Sequence, residues 1–141
     1  MPLKLKIVPI EVLNKGARNT IMEVLDIKIS NLTEEYIEAT MPVDKRTHQP
    51  YGVLHGGASV VLAETLGSLG SVLTIDADKF QCYGIDINAN HIKSVRSGLV
   101  IGRARPIHTG RSTQVWHIEI KNEAGELVCV SRLTIAVVPA K

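Results

Sequence analysis

The sequence predicts an α+β fold: one long helix set against an antiparallel sheet of about six strands. Three observations carry this. A single run near the middle, "GGASVVLAETLGSLGSVLTI" at 56–75, is long and apolar enough for a helix of several turns. Two alternating segments precede it, and four segments of period-two or continuous apolar character follow it. With 141 residues, 45% apolar and 21% charged, the chain suits one domain over 1–141 with its own core.

The chain opens with "VPIEVLNKGARNTIMEVL", whose apolar residues recur at helical spacing. Pro9 suits a first turn and Gly16 a stop, so short helices are expected here. Next, "DIKISNLTEEYIEATMPV" alternates on both sides of a polar turn: Ile27 and Ile29 mark one strand of a hairpin, Ile37, Ala39 and Met41 the other, and Asn31 to Glu35 the turn. A polar loop, "DKRTHQPYGV", leads to the long helix. On that helix Ala58, Val61, Leu62, Leu66, Leu69, Val72 and Leu73 form one apolar stripe. Ser59, Ala63, Gly67 and Gly70 line another face that backbone or ligand can approach closely, so the helix is expected to be enclosed all round. The segments "QCYGIDINANHI", "GLVIGRARPI", "TQVWHIEIK" and "LVCVSRLTIAVV" then supply a four-strand antiparallel series, the last two divided by the turn "NEAGE".

The formal charge of +2 gives no concentrated basic footprint, so neither nucleic acid nor an acidic membrane is implied as a partner. Cys82 and Cys129 lie far apart with no C-x-x-C, which suits buried thiols in a reducing, cytoplasmic setting. The start, "MPLKLKIVPIEVLNKG", lacks the apolar core and small-residue cleavage site of a signal peptide. Residues 56–75 approach the ~20 residues that span a bilayer, but a central carboxylate and several Gly and Ser argue against a membrane span.

That carboxylate, Glu64, is the feature that asks for chemistry. Phosphate-loop, dinucleotide-binding, zinc-protease and nucleophile-elbow motifs are all missing, and His48, His55, His91, His108 and His117 are too dispersed to predict a metal site. What remains is a glycine-rich helix start, His55-Gly56-Gly57, followed on the same helix by Glu64. The first N–H groups of a helix are unpaired and sit at the positive end of its dipole. A carbonyl can therefore approach the Gly56 N–H as it would an oxyanion hole, where one donor is worth roughly 3 kcal/mol. Glu64 lies eight residues further on, ~12 Å at 1.5 Å per residue, so one helix cannot easily present both groups to one carbon. A second subunit could. A lone helical Glu otherwise simply faces solvent.

The segments "MPVDKRTHQPYGVLHGGASVVLAETLGS", "GIDINANHIKSVRSG" and "PIHTGRSTQVWHIEI" together resemble the hotdog-fold acyl-CoA thioesterases. The branch they are most similar to holds the 1,4-dihydroxy-2-naphthoyl-CoA thioesterase of menaquinone synthesis and the proofreading thioesterase of enterobactin synthesis. The resemblance covers nearly the whole chain. It implies a helix wrapped by an antiparallel sheet, homodimers joined into a homotetramer, and active sites that lie across subunit interfaces. It also implies hydrolysis of a thioester, with an aromatic acyl group of hydroxynaphthoyl or hydroxybenzoyl type. Carried over by position, Glu64 is the catalytic nucleophile or general base and the Gly56 N–H polarises the carbonyl. Gln49 and His55 position carbonyl and water, and Ser68 supports the site. By the same resemblance, coenzyme A, part of the substrate and not a cofactor, would be held by Gly84, by His91, Ile92, Lys93 and Ser94, and by His108, Thr109, Gly110, Arg111, Ser112 and Thr113.

The residues add support of their own. From Ile87 to Ile118 there is no acid, while Lys93, Arg96, Arg103, Arg105 and Arg111 are basic, which suits the phosphates of coenzyme A. The segment "TIDADKFQCYG" and the first twenty residues match the family least, and both bear on acyl selectivity. Aromatic residues are few, so an aryl pocket would be lined chiefly by aliphatic side chains. Competing readings are a non-catalytic acyl-CoA-binding protein, a thioesterase for carrier-protein substrates, and, least supported, a hydratase, for which no Asp-His pair presents itself.

Overall fold

The computed structural model describes all of residues 1–141. Its elements run α1 (Ile10–Lys15), α2 (Ile21–Val24), β1 (Lys28–Leu32), β2 (Ile37–Pro42), α3 (Gly56–Val72), β3 (Phe80–His91), β4 (Leu99–Thr109), β5 (Thr113–Asn122) and β6 (Leu127–Pro139). Pro9 occupies the N-cap of α1, and the Thr20 hydroxyl caps α2 by accepting from the Met22 N–H. Asn14 ties α1 to the sheet: its side-chain amide donates to the Ile29 carbonyl and accepts from the Ile29 N–H. The hairpin turn is shorter than the sequence suggests. Asn31 and Leu32 belong to β1, paired with Glu38 and Ile37, and the Thr33 hydroxyl closes the turn by accepting from the Glu35 and Tyr36 N–H groups.

All six strands form one antiparallel sheet in the order β1-β2-β4-β5-β6-β3. The expected four-strand series is thus broken: β4, β5 and β6 are neighbours, but β3 lies beyond β6 as an edge strand. Its outer row of backbone groups is unpaired, and Tyr83 and Ile85 on it are exposed.

α3 crosses one face of the sheet, with Leu62 and Leu66 packed over Gly102. Its small residues are the close-approach face, and what approaches is the sheet: Gly67 meets Leu133, and Gly70 meets the Trp116 ring. Trp116 is fully buried and donates from Nε1 to Gln114 Oε1 (2.8 Å); the Gln114 side-chain amide donates to Thr74 Oγ1 (2.8 Å), which donates to the Ser71 backbone carbonyl (2.8 Å). This buried polar chain pins the C-terminal end of α3 to β5 with every member satisfied.

The helix is not enclosed all round. Val60, Val61, Glu64, Thr65 and Ser68 are only half-buried, and Val72, expected within the apolar stripe, is 40% exposed. The burial of both Leu62/Leu66 and Ala63/Gly67 on the sheet side turns that flank outward. At 17 residues α3 is short of a membrane span, and no helix of the structure is long and apolar enough to cross one.

Candidate active site

The loop before α3 is held by its own polar groups. Thr47, buried, donates to the Pro42 carbonyl, Asp44 accepts from Arg46, and a bridge between His48 and Leu54 closes the loop. The Arg46 guanidinium holds the Asp44 carboxyl down at about 2. Gln49 Oε1 accepts from the Tyr51 N–H, which leaves the Gln49 amide donors free.

His55 is the N-cap of α3, and its Nδ1 accepts from the Gly57 N–H at 2.7 Å. Because a backbone N–H can only donate, Nδ1 must carry a lone pair, and the neutral ring bears its proton on the exposed Nε2. His55 is therefore the capping residue that a helix start calls for and a donor aimed outward as well. The cap also narrows the choice of helix donors. The Gly57 N–H is used by His55, Ala58 and Ser59 donate to the His55 carbonyl, and the Gly56 N–H has no partner. Glycine at 56 lets the His91 ring close on the helix start: a Cβ there would lie 2.7 Å from His91 Nε2, so a larger residue would displace that ring.

Gln49, Gly56, Ser59, His91, Ile92, Lys93 and Ser94 line a cleft of about 300 Å³. A second hollow of about 450 Å³, lined by Gln49, Pro50, Tyr51, His55 and Gly56, adjoins it. The structure thus gathers Gln49, His55, Gly56 and the segment His91–Ser94 at one place, and the groups that bonding leaves free on the first three, the Gln49 amide, His55 Nε2–H and the Gly56 N–H, are donors.

Glu64 is elsewhere. Its carboxylate rests on Gly84 of β3, half-buried, and takes part in no ion pair or side-chain hydrogen bond. Ser68 follows one turn later on the same flank, also half-buried. Gly84 and His91, seven residues apart on β3, pair with Ile135 and Cys129, six residues apart on β6, which is roughly 20 Å at 3.3 Å per residue. The chain therefore holds a carboxylate at one end of β3 and a set of donors at the other.

An odd separation should place Gly84 and His91 on opposite faces of a regular strand. A bulge prevents this: Gly84 pairs with Ile135 and Asp86 with Thr134, which leaves Ile85 extra. Cys82 and Gly84 face α3 before it, and Ile87, Ala89 and His91 face α3 after it. Sequence reasoning missed Ile85, although the slip from even to odd apolar positions between Cys82 and Ile87 was the available signal.

The third predicted group, His108–Thr113, forms the β4–β5 connection, closed by the Gly110 N–H donating to the Thr113 carbonyl (2.9 Å). It lies at the Gly84 end of the sheet, since Thr113 and Tyr83 both pair with Ala136, and none of it lines the Gln49–Gly56 cleft. The basic segment is also less uniform than the sequence suggests. Arg103 and Arg105 project to the sheet face away from α3, where Arg103 pairs with Glu38 (2.8 Å) and stacks on Tyr36 (3.9 Å). Lys93 pairs with Glu126 (3.3 Å). Both acids come from strands or turns distant in sequence. Burial raises the Cys82 and Cys129 thiols, which disfavours thiolate chemistry.

One long helix wrapped by a six-stranded antiparallel sheet, with a donor-lined cleft at the helix start, is the hotdog architecture of thioester hydrolases. The chain belongs to the thioesterase superfamily, which it matches over residues 51–129. A Vibrio cholerae protein with a provisional esterase name is 57% identical over 132 residues, covering 94% of this chain and 87% of the relative. The 1,4-dihydroxy-2-naphthoyl-CoA hydrolase of Escherichia coli is 47% identical over 130 residues, covering 92% and 95%. Among solved structures, a variant of thioesterase PA1618 from Pseudomonas aeruginosa superposes with a TM-score of 0.95 at 47% identity, covering 98% of this chain and 99% of the other. The expected fold and enzyme class are thereby borne out.

Proposed function

We propose that this thioesterase hydrolyses the acyl-CoA thioester of an aromatic acid, in active sites that each take residues from two copies of the chain. The observation that carries it is the Gly56 N–H, left without a partner at a helix N-terminus while its neighbours are capped. In this reading the thioester carbonyl accepts from Gly56, with Gln49 and the His55 Nε2–H alongside, so that negative charge on the tetrahedral oxygen is met by donors already in place. Glu64 attacks the carbonyl carbon directly or removes a proton from the water that does. The C–S bond breaks, its electron pair leaves on sulfur, and water's oxygen ends in the acid product. His91–Ser94 border the cleft and would hold coenzyme A there, while His108–Thr113, at the Gly84 end of the sheet, would reach it from the partner subunit. The aromatic preference rests on the name of the Escherichia coli relative.

The open edge of β3 supports the two-chain site. Antiparallel pairing of that edge with its own copy, centred near Asn88, sets Gly84 with its attached Glu64 alongside the partner subunit's His91 and Gly56. It would also cover the exposed Tyr83 and Ile85 edge and the uncovered flank of α3.

The test is thiol release from benzoyl-, hydroxynaphthoyl-, phenylacetyl- and straight-chain CoA thioesters and from acyl carrier protein substrates. Aryl-CoA substrates should be turned over best, and Glu64→Ala should lower kcat by about 100-fold or more at unchanged fold. An equally active Glu64→Ala rejects the assignment. Saturable CoA binding without turnover of any thioester favours a binding protein instead.

A further inference from the structure

We infer that Gly84 is a positioning residue: its missing side chain forms the slot that seats the Glu64 carboxylate. The inference rests on Glu64 being the catalytic carboxylate, and it departs from the coenzyme A contact that family resemblance gives to Gly84. A Cβ built on Gly84 would point toward α3 and lie 2.5 Å from Glu64 Oε2, 3.3 Å from its carboxyl carbon and 3.4 Å from Leu133 Cδ1. The carboxylate therefore lies directly on the strand backbone, with the Cα of Gly84 as its floor.

Two features separate this from ordinary packing. First, the atom in the way is the far end of a flexible side chain, so a methyl group at 84 is easily accommodated by moving Glu64, and the fold loses little. Second, Glu64 has no ion pair or side-chain hydrogen bond to define its place, so the floor of the slot is what limits it. The Ile85 bulge matters for the same reason, because it keeps Gly84 facing α3 on a strand that also turns His91 toward Gly56. Gly84 has an ordinary backbone conformation and no turn to make; glycine is needed there for space.

To restore ordinary contact the carboxylate must retreat from 2.5 Å to about 3.4 Å, close to 1 Å. A displacement of that size at a reacting group costs on the order of 100-fold in rate. Full-length Gly84→Ala is compared with the wild type by steady-state thiol release from hydroxynaphthoyl-CoA and benzoyl-CoA, with free CoA as product inhibitor. The expected result is kcat down by about 100-fold, with KM, the CoA inhibition constant, thermal midpoint and oligomeric state unchanged. In a Glu64→Asp background, where the shorter side chain no longer reaches the methyl, adding Gly84→Ala should cost less than about fivefold. Unchanged kcat, or raised KM and CoA inhibition constant at unchanged kcat, overturns the inference, the second result making Gly84 a coenzyme A contact. If Gly84→Ala unfolds the protein and Glu64→Ala with Gly84→Ala does too, the methyl clashes with something other than Glu64, which also overturns it. Glu64→Ala separates the two levels: if it is fully active the proposed function falls, and if it is inactive while Gly84→Ala is fully active only the slot falls.

Discussion

Two inactive variants should restore each other. Glu64→Ala removes the carboxylate, and Gln49→Ala removes a donor beside Gly56 without touching the helix cap. A reacting carbonyl needs its nucleophile at ~3–3.5 Å and its oxyanion donor at ~3 Å, so the two groups must lie within ~7 Å of one another. Eight residues of α3 place Gly56 and Glu64 of one chain ~12 Å apart, and their contacts on β3 are roughly 20 Å apart. On the proposed reaction, one chain therefore does not complete a site. In a two-fold dimer of the two variants, one site takes both defects and the other takes none. Random reassortment at equal amounts makes half of the dimers mixed, each with one intact site of two, which gives about a quarter of wild-type activity. The variants carry different affinity tags, are unfolded together in urea, refolded, and purified through both tags before thiol release is measured; the doubly tagged fraction should reach about half of wild-type activity as dimers, and about 0.3 of it if dimers pair at random into tetramers. If verified mixed dimers are no more active than the mean of their parents, Glu64 and Gly56 act within one chain, or not together, and the two-chain site is wrong.

Three further outcomes follow from the core and the loop. Gly70→Ala would put a methyl 2.6 Å from Trp116 Cζ3, and since Trp116 is fully buried, overpacking should cost about 1–3 kcal/mol; the urea midpoint should fall at unchanged slope, and an unchanged midpoint would contradict the packing described. Trp116→Phe deletes the donor to the buried Gln114 Oε1 and should destabilise by about 1–3 kcal/mol, measured the same way; an unchanged midpoint would show that the bond contributes nothing. Asp44 should titrate near 2 in a carbon NMR experiment and move up toward 3.8 in Arg46→Ala. Because its folded value lies below its unfolded one, whatever the Asp44–Arg46 contact contributes is complete above the ordinary carboxylate range and disappears as pH falls through about 2; a midpoint left near 2 in Arg46→Ala would assign the shift to another cause.

Much of the fold was legible because the signals are local. Period-two alternation located β2, β5 and β6, and the Gly-Gly start with a long apolar run located α3. The hairpin turn was misread at Asn31 and Leu32 because polarity, which marks turns, is also what an edge strand shows to solvent. β3 was found as a strand but misplaced in the sheet, since strand order depends on which edges meet after α3 has crossed, and alternation carries no information about neighbours. Val72 failed for a related reason: the stripe was centred on large side chains, while the sheet also buried the small ones.

At the site, the sequence by itself determined the ingredients: a lone carboxylate on an apolar helix, a glycine-rich start to that helix, and a separation along α3 too long for both to serve one carbon. Only the tertiary structure decided which donor stays free, because the orientation of His55 consumes the Gly57 N–H and leaves that of Gly56. It also decided that Glu38 and Glu126 reach two members of a basic segment that contains no acid of its own. Most of all it decided the face of β3, where one unpaired residue, Ile85, turns Gly84 toward Glu64 and His91 toward Gly56. A bulge is a property of a strand's pairing with its neighbour, and charge pairing is a property of distance in space. Neither is fixed by adjacency along the chain, which is why residues far apart in sequence had to be brought together before the site took shape.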